Sequence, residues 1–286
     1  MPSRRFPTIL LLLAVAAMGT AAWAVRNDRP RDPAPVPTAG PVPRVVTVAA
    51  SNYAFEAPDT LPAGPTTFRL NNHGPELHHI VIVPLTGGHS TAELMQQAEG
   101  DHLPAWALPL GGPNAVDPGG HGDATVDLAP GRYVMICVIP APDGMMHLKK
   151  GMAHEFTVVP AGARASAPAA DLTVRLNDYS FTLSAPLTAG HHEIAVQNDA
   201  AQPHELVIFK LAPGKHLPDF LAWFQKPEGP PPASALGGAS PLATGRGMTF
   251  ALDVTPGTYG LICVLPDAKD GAPHLAHGMM QEFEVR

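Results

Sequence analysis

The chain has 286 residues, of which 34 are proline, and charged residues make up only 15% of the composition. This length accommodates one large domain or two of ordinary size. The high proline content and the low charge favour short strands and turns over a helix-rich protein. The formal net charge is −7, so the composition gives no electrostatic basis for binding nucleic acid.

The charges are unevenly distributed along the chain. Residues 1–44 have six Arg and two Asp. Residues 45–160 have four Lys or Arg against eleven Asp or Glu, and residues 171–286 have seven Lys or Arg against twelve Asp or Glu. An acidic folded region attracts a basic surface by electrostatic steering. If the chain has a protein partner, we therefore expect the partner's surface to be basic.

The N-terminus has the features of a targeting segment. Two arginines precede an uncharged run at residues 6–25, and the Ala-Trp-Ala at residues 22–24 resembles a signal-peptide cleavage site. The same run is long enough to cross a bilayer as an uncleaved anchor. We interpret residues 1–25 as a signal peptide or membrane anchor and residues 26–44 as a Pro-rich linker. This predicts a periplasmic or extracellular protein, tethered to the membrane if the segment is not cleaved.

The rest of the chain contains one internal duplication. Residues 45–159 align with residues 171–286 at an offset of 126 up to a cysteine and 127 after it. The matched pairs include Tyr53 with Tyr179, His78 with His204, Cys137 with Cys263, His147 with His274 and Met152 with Met279. A repeat this long indicates a duplicated domain rather than a solenoid unit. We predict domains at residues 45–160 and 171–286, joined by a linker at residues 161–170.

Each half has the hydrophobic pattern of an all-β domain, with about seven short apolar segments separated by turn residues. This pattern predicts two tandem Greek-key β-sandwich domains. A short amphipathic helix is expected within each half, near Thr91–Ala98 in the first and Leu217–Gln225 in the second. The Gly- and Pro-rich stretches at residues 109–122 and 227–246 look too irregular for core elements, and we expect long loops there.

Each half also has one His before an apolar run, followed by Cys, His and Met. In both halves the first His lies 59 positions before the Cys. Two imidazoles, a thiolate and a weak axial thioether are the ligands of a trigonal copper site. Two cysteines in an exported protein also suggest a disulfide, but each Cys occupies the same place in its own repeat. We therefore predict one copper per domain, cycling between Cu(I) and Cu(II), at His78, Cys137, His147, Met152, and at His204, Cys263, His274, Met279.

Each half resembles the cupredoxin family of small blue copper proteins, such as plastocyanin and sulfocyanin. The resemblance covers about 230 of the 286 residues and is carried by NNHGPELHHIVI and QNDAAQPHELVI around the first His, PGRYVMIC and PGTYGLIC before the Cys, and the His-x4-Met ending. It implies that the eight residues above are the copper ligands. It further implies that the second His of each set lies near the surface and passes the electron.

Two positions depart from the family pattern. The family often places Asn directly after the first His, where it ties the ligand loops together, and this chain has His79 and Glu205 there. His79 is therefore a further candidate ligand. Nine or ten residues separate the Cys from the second His. This gap is longer than in most single-domain blue copper proteins, and the longer loop costs a little closure entropy.

We favour an exported electron carrier with two mononuclear type 1-like copper sites and a redox partner protein. Copper capture or delivery is an alternative, and so is a metal-free cupredoxin-like interaction module. Multicopper oxidases and copper nitrite reductases, which are built from the same sandwich, need additional histidines for a second kind of copper. The sequence has no His-x-His pair, and neither Cys has a neighbouring His. We therefore predict that the chain is not an enzyme.

Overall fold

The computed structural model describes residues 42–98, 102–162 and 165–286. The predicted signal or anchor segment and most of the Pro-rich linker lie outside these residues. Within the described ranges, no helix is long and apolar enough to cross a membrane. The same ranges contain sixteen strands, two α-helices and two short 3-10 turns, which confirms the prediction of an all-β fold.

The first repeat forms a sandwich of two sheets. One sheet has the strand order β6-β4-β1-β2 and the other has the order β3-β8-β7-β5. The helix α1 lies between β5 and β6, and a 3-10 turn at His147–Lys150 precedes β8. The elements are β1 (Arg44–Ser51), β2 (Ala54–Glu56), β3 (Thr60–Pro62), β4 (Gly64–Asn72), β5 (Val81–Pro84), α1 (Thr91–Gln97), β6 (His121–Leu128), β7 (Gly131–Ile136) and β8 (Ala153–Val159).

The second repeat has a similar plan, but among its described strands none corresponds to β3, and β13 is added beside β12. Its sheets have the orders β10-β9-β11-β14 and β13-β12-β15-β16, and its 3-10 turn lies at His274–His277. Both helices were predicted, and both are present. The elements are β9 (Leu172–Asn177), β10 (Ser180–Leu183), β11 (Gly190–Asn198), β12 (His204–Leu211), α2 (Leu217–Gln225), β13 (Ala233–Leu242), β14 (Gly247–Val254), β15 (Gly257–Ile262) and β16 (Met280–Val285).

Alternating side chains fill the space between the sheets. In β1 the buried residues are Val46, Val48 and Ala50, and in β9 they are Leu172, Val174 and Leu176. Successive side chains of a strand point to opposite faces, so this spacing places one face of each strand in the core.

The two repeats are joined through a shared sheet. Strands β6 and β14 pair antiparallel, with Thr249 opposite Thr125 and Ala251 opposite Asp123. This pairing makes one eight-stranded sheet from the two four-stranded ones. A single cluster of buried apolar residues also contains members of both repeats. The interface is therefore part of the fold's hydrophobic core.

The expectation of long irregular loops is wrong for much of residues 227–246. Residues 233–242 form β13, which pairs with β12 and is mostly buried. The segment at residues 109–116, from the first repeat, runs along its other side and bridges Leu110 to Leu242 and Pro113 to Ala239. The Gly-rich composition reflects close backbone approach rather than a loop. A Cβ at Gly238 would lie 2.1 Å from the Leu206 carbonyl oxygen, and Gly238 has φ +117°.

We expect Gly238→Ala to destabilise the protein much more than Gly237→Ala. Both glycines have a left-handed φ, so both substitutions introduce backbone strain of about 1–3 kcal/mol. Only Gly238 faces a backbone atom, whereas Gly237 has nothing within 4 Å of its Cβ position. Overpacking should add about another 1–3 kcal/mol at Gly238. Urea unfolding of the copper-free variants measures the difference, and equal destabilisation would contradict the close approach.

Candidate metal centres

In each repeat the predicted ligands come from equivalent places in the sandwich. Cys137 directly follows β7, and Cys263 directly follows β15. The second His begins the 3-10 turn, and the Met lies two residues after the end of that turn. The first His comes from the neighbouring strand of the same sheet. His78 lies just before β5, which pairs with β7, and His204 begins β12, which pairs with β15.

Backbone hydrogen bonds fix the loop that joins Cys, His and Met. In the first repeat the Leu148 N–H donates to the Cys137 carbonyl at 2.7 Å, and the Cys137 N–H donates to the Met152 carbonyl at 3.3 Å. The corresponding bonds of the second repeat, Leu275 to Cys263 and Cys263 to Met279, are 2.9 and 3.2 Å long. A left-handed glycine closes each 3-10 turn. The two loops therefore share these hydrogen bonds and the 3-10 turn despite their one-residue difference in length.

The donor atoms of the first repeat converge in the core. The His147 Nδ1 lies 3.2 Å from the His78 Nδ1 and 3.4 Å from the Cys137 Sγ. Zn²⁺, a first-row metal ion, binds imidazole at about 2.0–2.1 Å and thiolate at about 2.3 Å, so ligands at 120° around such an ion lie about 3.5–3.8 Å apart. The observed spacings are close to these values, and the three donors face one point.

The second repeat brings together the equivalent atoms. The Cys263 Sγ lies 3.3 Å from the His274 Nδ1 and 3.8 Å from the His204 Nδ1. In each repeat the candidate ligand atoms lie within 4.8 Å of one another. Six of the eight predicted ligands thus form two groups. Met152 and Met279 are fully buried next to them, and their axial role, like metal binding by the whole set, remains a prediction.

Burial sets the protonation of these groups. Burial, helped by the neighbouring His147, lowers the pKa of His78 to about 4. Burial also lowers the pKa of His274 to about 4, with a contribution from His204. The imidazoles are therefore neutral and keep a lone pair for a metal. Burial raises the pKa of Cys137 to about 12, so a metal has to displace the thiol proton on binding.

The second His of each set is covered by other side chains and is not itself exposed. The side chains of His147 and His274 have 0% exposure. Two tyrosines that no sequence motif identified cover these histidines. The Tyr53 ring packs on His147 with centroids 4.8 Å apart, and the Tyr179 ring contacts His274 edge-on.

Asn52 and Glu76 hold the outer nitrogens of the first group. The His78 Nε2 contacts the Asn52 Oδ1 at 2.8 Å, and the His147 Nε2 contacts the Glu76 Oε2 at 2.9 Å. The Asn52 amide donates to Glu76 as well, at 2.6 Å. Burial alone would raise the pKa of Glu76, but hydrogen bonds from His147 and Tyr53 keep it below its usual value. These contacts orient both imidazoles with Nδ1 inward, as second-shell partners of a metal site do.

The second group exchanges the positions of carboxylate and amide. At the offset of 126, Asn52 corresponds to Asp178 and Glu76 corresponds to Gln202. The Asp178 Oδ1 lies 2.7 Å from the His204 Nε2. The Gln202 amide donates to Asp267, which has an oxygen 3.8 Å from the His274 Nε2. The repeat alignment could have revealed these residues, because the exchanged pair stands in register.

His79 and Glu205 do not join the groups of donor atoms. The Val138 N–H donates to the His79 Nε2 at 3.0 Å, and the Val264 N–H donates to the Glu205 Oε1 at 3.2 Å. Each side chain therefore ties the loop after the Cys to the strand of the first His. Since its Nε2 is engaged in this bond, His79 is not placed as a ligand.

The chemistry of the donor set fits copper. Two neutral imidazoles and a thiol that becomes a thiolate on binding suit this metal in both oxidation states. The His274 Nε2 is buried without a hydrogen-bond partner, although Asp267 is close. A metal at the Nδ1 would make the Nε2 hydrogen a stronger donor toward that carboxylate, so the arrangement suits a loaded site. The two groups support copper, about one per domain.

No family model and no curated protein matches the chain. Among solved structures, auracyanin from Roseiflexus castenholzii is 27% identical over 42% of this chain and 100% of its own, with a TM-score of 0.32. Auracyanin A, a blue copper protein from Chloroflexus aurantiacus, is 20% identical over 41% of this chain and 99% of its own, with a TM-score of 0.31. A blue copper oxidase from Nitrosomonas europaea is 14% identical over 85% of this chain and 86% of its own, with a TM-score of 0.25.

These TM-scores are below 0.5, so the assignment rests on the strand order and the donor groups of this chain. The first repeat pairs β5 with β7 and β7 with β8, and the second pairs β12 with β15 and β15 with β16. Each of these sheets places a His–Cys–His group at the same end of the same strands. The duplicated sandwich with its two donor groups fits a cupredoxin-like tandem.

Proposed function

We propose that the protein is an exported, non-catalytic electron carrier with two mononuclear type 1-like copper sites. The observation that carries this proposal is the convergence of two imidazole Nδ1 atoms and one thiol in each repeat, fully buried and with a Met directly after the loop. Bound copper would supply a one-electron couple at each site. The residues of this chain hold both imidazoles and the thiol in one arrangement.

Rigid support of the ligands favours electron transfer over copper delivery. The outer nitrogens of His78, His147 and His204 are each hydrogen-bonded to a side chain. Ligands held this firmly change little between Cu(I) and Cu(II), so the reorganisation on electron transfer is small. A delivery protein instead has to release its metal, for which accessible and mobile ligands are better suited.

The proposal that the chain is not an enzyme rests on its ligand inventory. Solved oxidases with a similar fold are among the matches, so the fold is compatible with catalysis. In the described residues, the two buried groups each have a single Cys and two His, and the third cluster of candidate ligands is mostly exposed and has only one His. No group of histidines suited to an additional copper is present there.

Export and the partner are proposed from the sequence. The targeting features of residues 1–25 place the folded region outside the cytoplasm, as a free or membrane-tethered protein. The acidic balance of residues 45–160 and 171–286 favours a redox partner with a basic surface.

The first test is copper stoichiometry. We expect the full chain to bind two copper ions and to show the intense visible absorption of thiolate bound to Cu(II). Cys137→Ser and Cys263→Ser should each bind one copper and keep about half of the absorption, and the double variant should be colourless. Metal analysis and absorption spectroscopy measure both quantities.

Met145→Leu is the matched control, because Met145 lies in the first Cys-to-His loop but is 49% exposed. It should keep two copper ions and full absorption. A wild-type protein that stays colourless with Cu(II), or that keeps its colour in the double variant, would overturn the proposed sites. Voltammetry separates a carrier, which gives a reversible one-electron response, from a delivery protein.

The second test concerns reduction potential. The second group has Asp178 at 2.7 Å and Asp267 at 3.8 Å from its imidazoles, and the buried carboxylate of Glu205 lies beside Cys263. Among the described residues, Glu76 is the only carboxylate that contacts an imidazole of the first group. Negative charge stabilises Cu(II) over Cu(I), so we expect the second site to have the lower potential.

Asp178→Asn copies the arrangement of the first site into the second, and Asn52→Asp does the reverse. We expect Asp178→Asn to raise the potential of the second site and Asn52→Asp to lower that of the first. Each reduction potential should change by up to about 60 mV, which is a tenfold change in the equilibrium constant of a one-electron couple. Solvent screening at Asp178, which is 38% exposed, reduces this change.

Spectroelectrochemistry of single-site proteins assigns each potential. Asp199→Asn is the control, because Asp199 pairs with Arg175 at the surface and contacts neither group. A change of the opposite sign in either variant would contradict the electrostatic explanation.

A further inference from the structure

A third group of candidate metal ligands lies beside the second donor group, in the part of the chain between Cys263 and Met279. It consists of Asp267, Asp270 and His277, whose donor atoms lie within 4.8 Å of one another. Asp267 is buried, whereas the side chains of Asp270 and His277 are 53% and 30% exposed. The group therefore opens to solvent on one side and reaches the interior on the other. No sequence motif identified it.

Hydrogen bonds and a ring contact hold these three side chains in place. The Tyr179 hydroxyl donates to the Asp267 Oδ2 at 2.5 Å, and the Tyr179 ring packs on the His277 imidazole with centroids 4.9 Å apart. The Lys269 N–H donates to the Asp267 Oδ1 at 2.8 Å. The His277 Nε2 lies 3.2 Å from the Asp270 Oδ1. The donors are thus oriented by surrounding groups, as metal ligands in proteins are.

The first repeat has a fixed positive charge where the second repeat has this group. In the repeat alignment Asp143 corresponds to Asp270, and Lys150 corresponds to His277. The Lys150 ammonium pairs with Asp143 and lies 5.1 Å from the centre of the Tyr53 ring. The second repeat therefore replaces a permanent cation by an imidazole, which binds metal ions when it is neutral.

The second repeat also adds a buried carboxylate. Asp267 takes the place of Ala141, since both residues close the loop after the Cys with an equivalent backbone hydrogen bond. The Asp267 side chain is 1% exposed. Its donors are a tyrosine hydroxyl, a glutamine amide and a backbone N–H, all of which are neutral. Among the residues that the structure describes, no Lys or Arg pairs with it, although buried charges in proteins are generally paired or bound to a metal.

A buried nitrogen without a hydrogen-bond partner faces the same carboxylate. The His274 Nε2 has no partner, and the His274 side chain has 0% exposure. Its distance to the Asp267 Oδ2 is 3.8 Å, which is too long for a hydrogen bond. Since the imidazole is neutral, it does not balance the carboxylate. Asp267 therefore has an uncompensated negative charge, and a cation bound on its solvent side would balance it.

We propose that Asp267, Asp270 and His277 form a site for a divalent cation of the Zn²⁺ class, separate from the two donor groups. Two carboxylates and one imidazole are ligands that Zn²⁺ accepts, and the exposed side leaves a fourth position for water. The site has no thiolate or thioether, so it is poorly suited to Cu(I). Binding changes the charge of the group from −2 to zero, and no oxidation or reduction takes place.

A cation at this site would act on the second copper site through Asp267. This consequence rests on the proposed function, whereas the cation site itself does not. A dication on the Asp267 carboxylate offsets the negative charge that faces His274, and a loss of negative charge favours Cu(I) over Cu(II). We expect the reduction potential of the second site to rise when the cation binds. The first site, which has Lys150 in the equivalent place, should keep its potential.

The experiment counts bound Zn²⁺ in the full chain after both thiol groups have been filled with Cu(I). Soft Cu(I) prefers thiolate to carboxylate, so it leaves the third group free. Equilibrium dialysis against Zn²⁺, followed by metal analysis, should give one Zn²⁺ per wild-type chain. Asp270→Asn and His277→Leu should each weaken Zn²⁺ binding at least tenfold. Both substitutions change partly exposed side chains, so we expect the variants to fold, and thermal unfolding without Zn²⁺ checks this.

Asp143→Asn is the matched control, because Asp143 has the equivalent position in the first repeat and pairs with Lys150. It should keep the wild-type amount of Zn²⁺ and the wild-type affinity. Equal Zn²⁺ binding by the wild type and Asp270→Asn, or no Zn²⁺ binding by the wild type, would overturn the site.

Spectroelectrochemistry with and without Zn²⁺ is the second readout. The potential of the second site should rise with Zn²⁺ in the wild type and in Asp143→Asn, but not in Asp270→Asn. Uptake of Zn²⁺ without this rise would overturn the influence on copper. Failure of the proposed function gives a different result, since a chain that takes up no copper would still show the difference in Zn²⁺ binding between the wild type and Asp270→Asn.

Discussion

The organisation of this protein depends on placing six polar donor atoms in one shared apolar core. A buried imidazole or thiol that lacks partners costs free energy, so each group needs hydrogen bonds on the side that faces away from the shared centre. Asn52 and Glu76 meet that need in the first repeat, and Asp178 does so for His204 in the second. The inward side is left with three lone-pair donors facing one point, which is the requirement of a metal site.

The same constraint explains the close contact between the repeats. His79 and Glu205 follow the first ligands and are carried into the interior with them, where their polar atoms require partners. Each takes one backbone N–H from its own Cys loop, and Asn114 donates to Glu205 from the interface. The backbone has to pass very near for this to occur. Gly112 and Gly238 permit that approach. A Cβ atom at either position would lie only 2.3 or 2.1 Å from a carbonyl oxygen.

Much of this could be predicted from the sequence because duplication tests each pattern twice. The His, Cys, His and Met recur in register, so their grouping did not depend on one motif, and both helices followed from short amphipathic runs. The burial of His147 could not be predicted, because it depends on Tyr53 and Glu76, which are distant in sequence and have no ligand pattern. Strand β13 was missed since its Gly and Ser composition mimics a loop, and only the neighbouring chain explains it.

Several differences between the repeats lie beside the donor groups. Asn52 and Asp178 differ, as do Glu76 and Gln202, and His79 and Glu205, whereas the tyrosines that bond back to Ala129 and Thr255 are retained. Each exchange moves or adds a carboxylate beside an otherwise equal set of ligands. A second copper site identical to the first would give no preferred direction to an electron. Unequal surroundings on a common scaffold provide one.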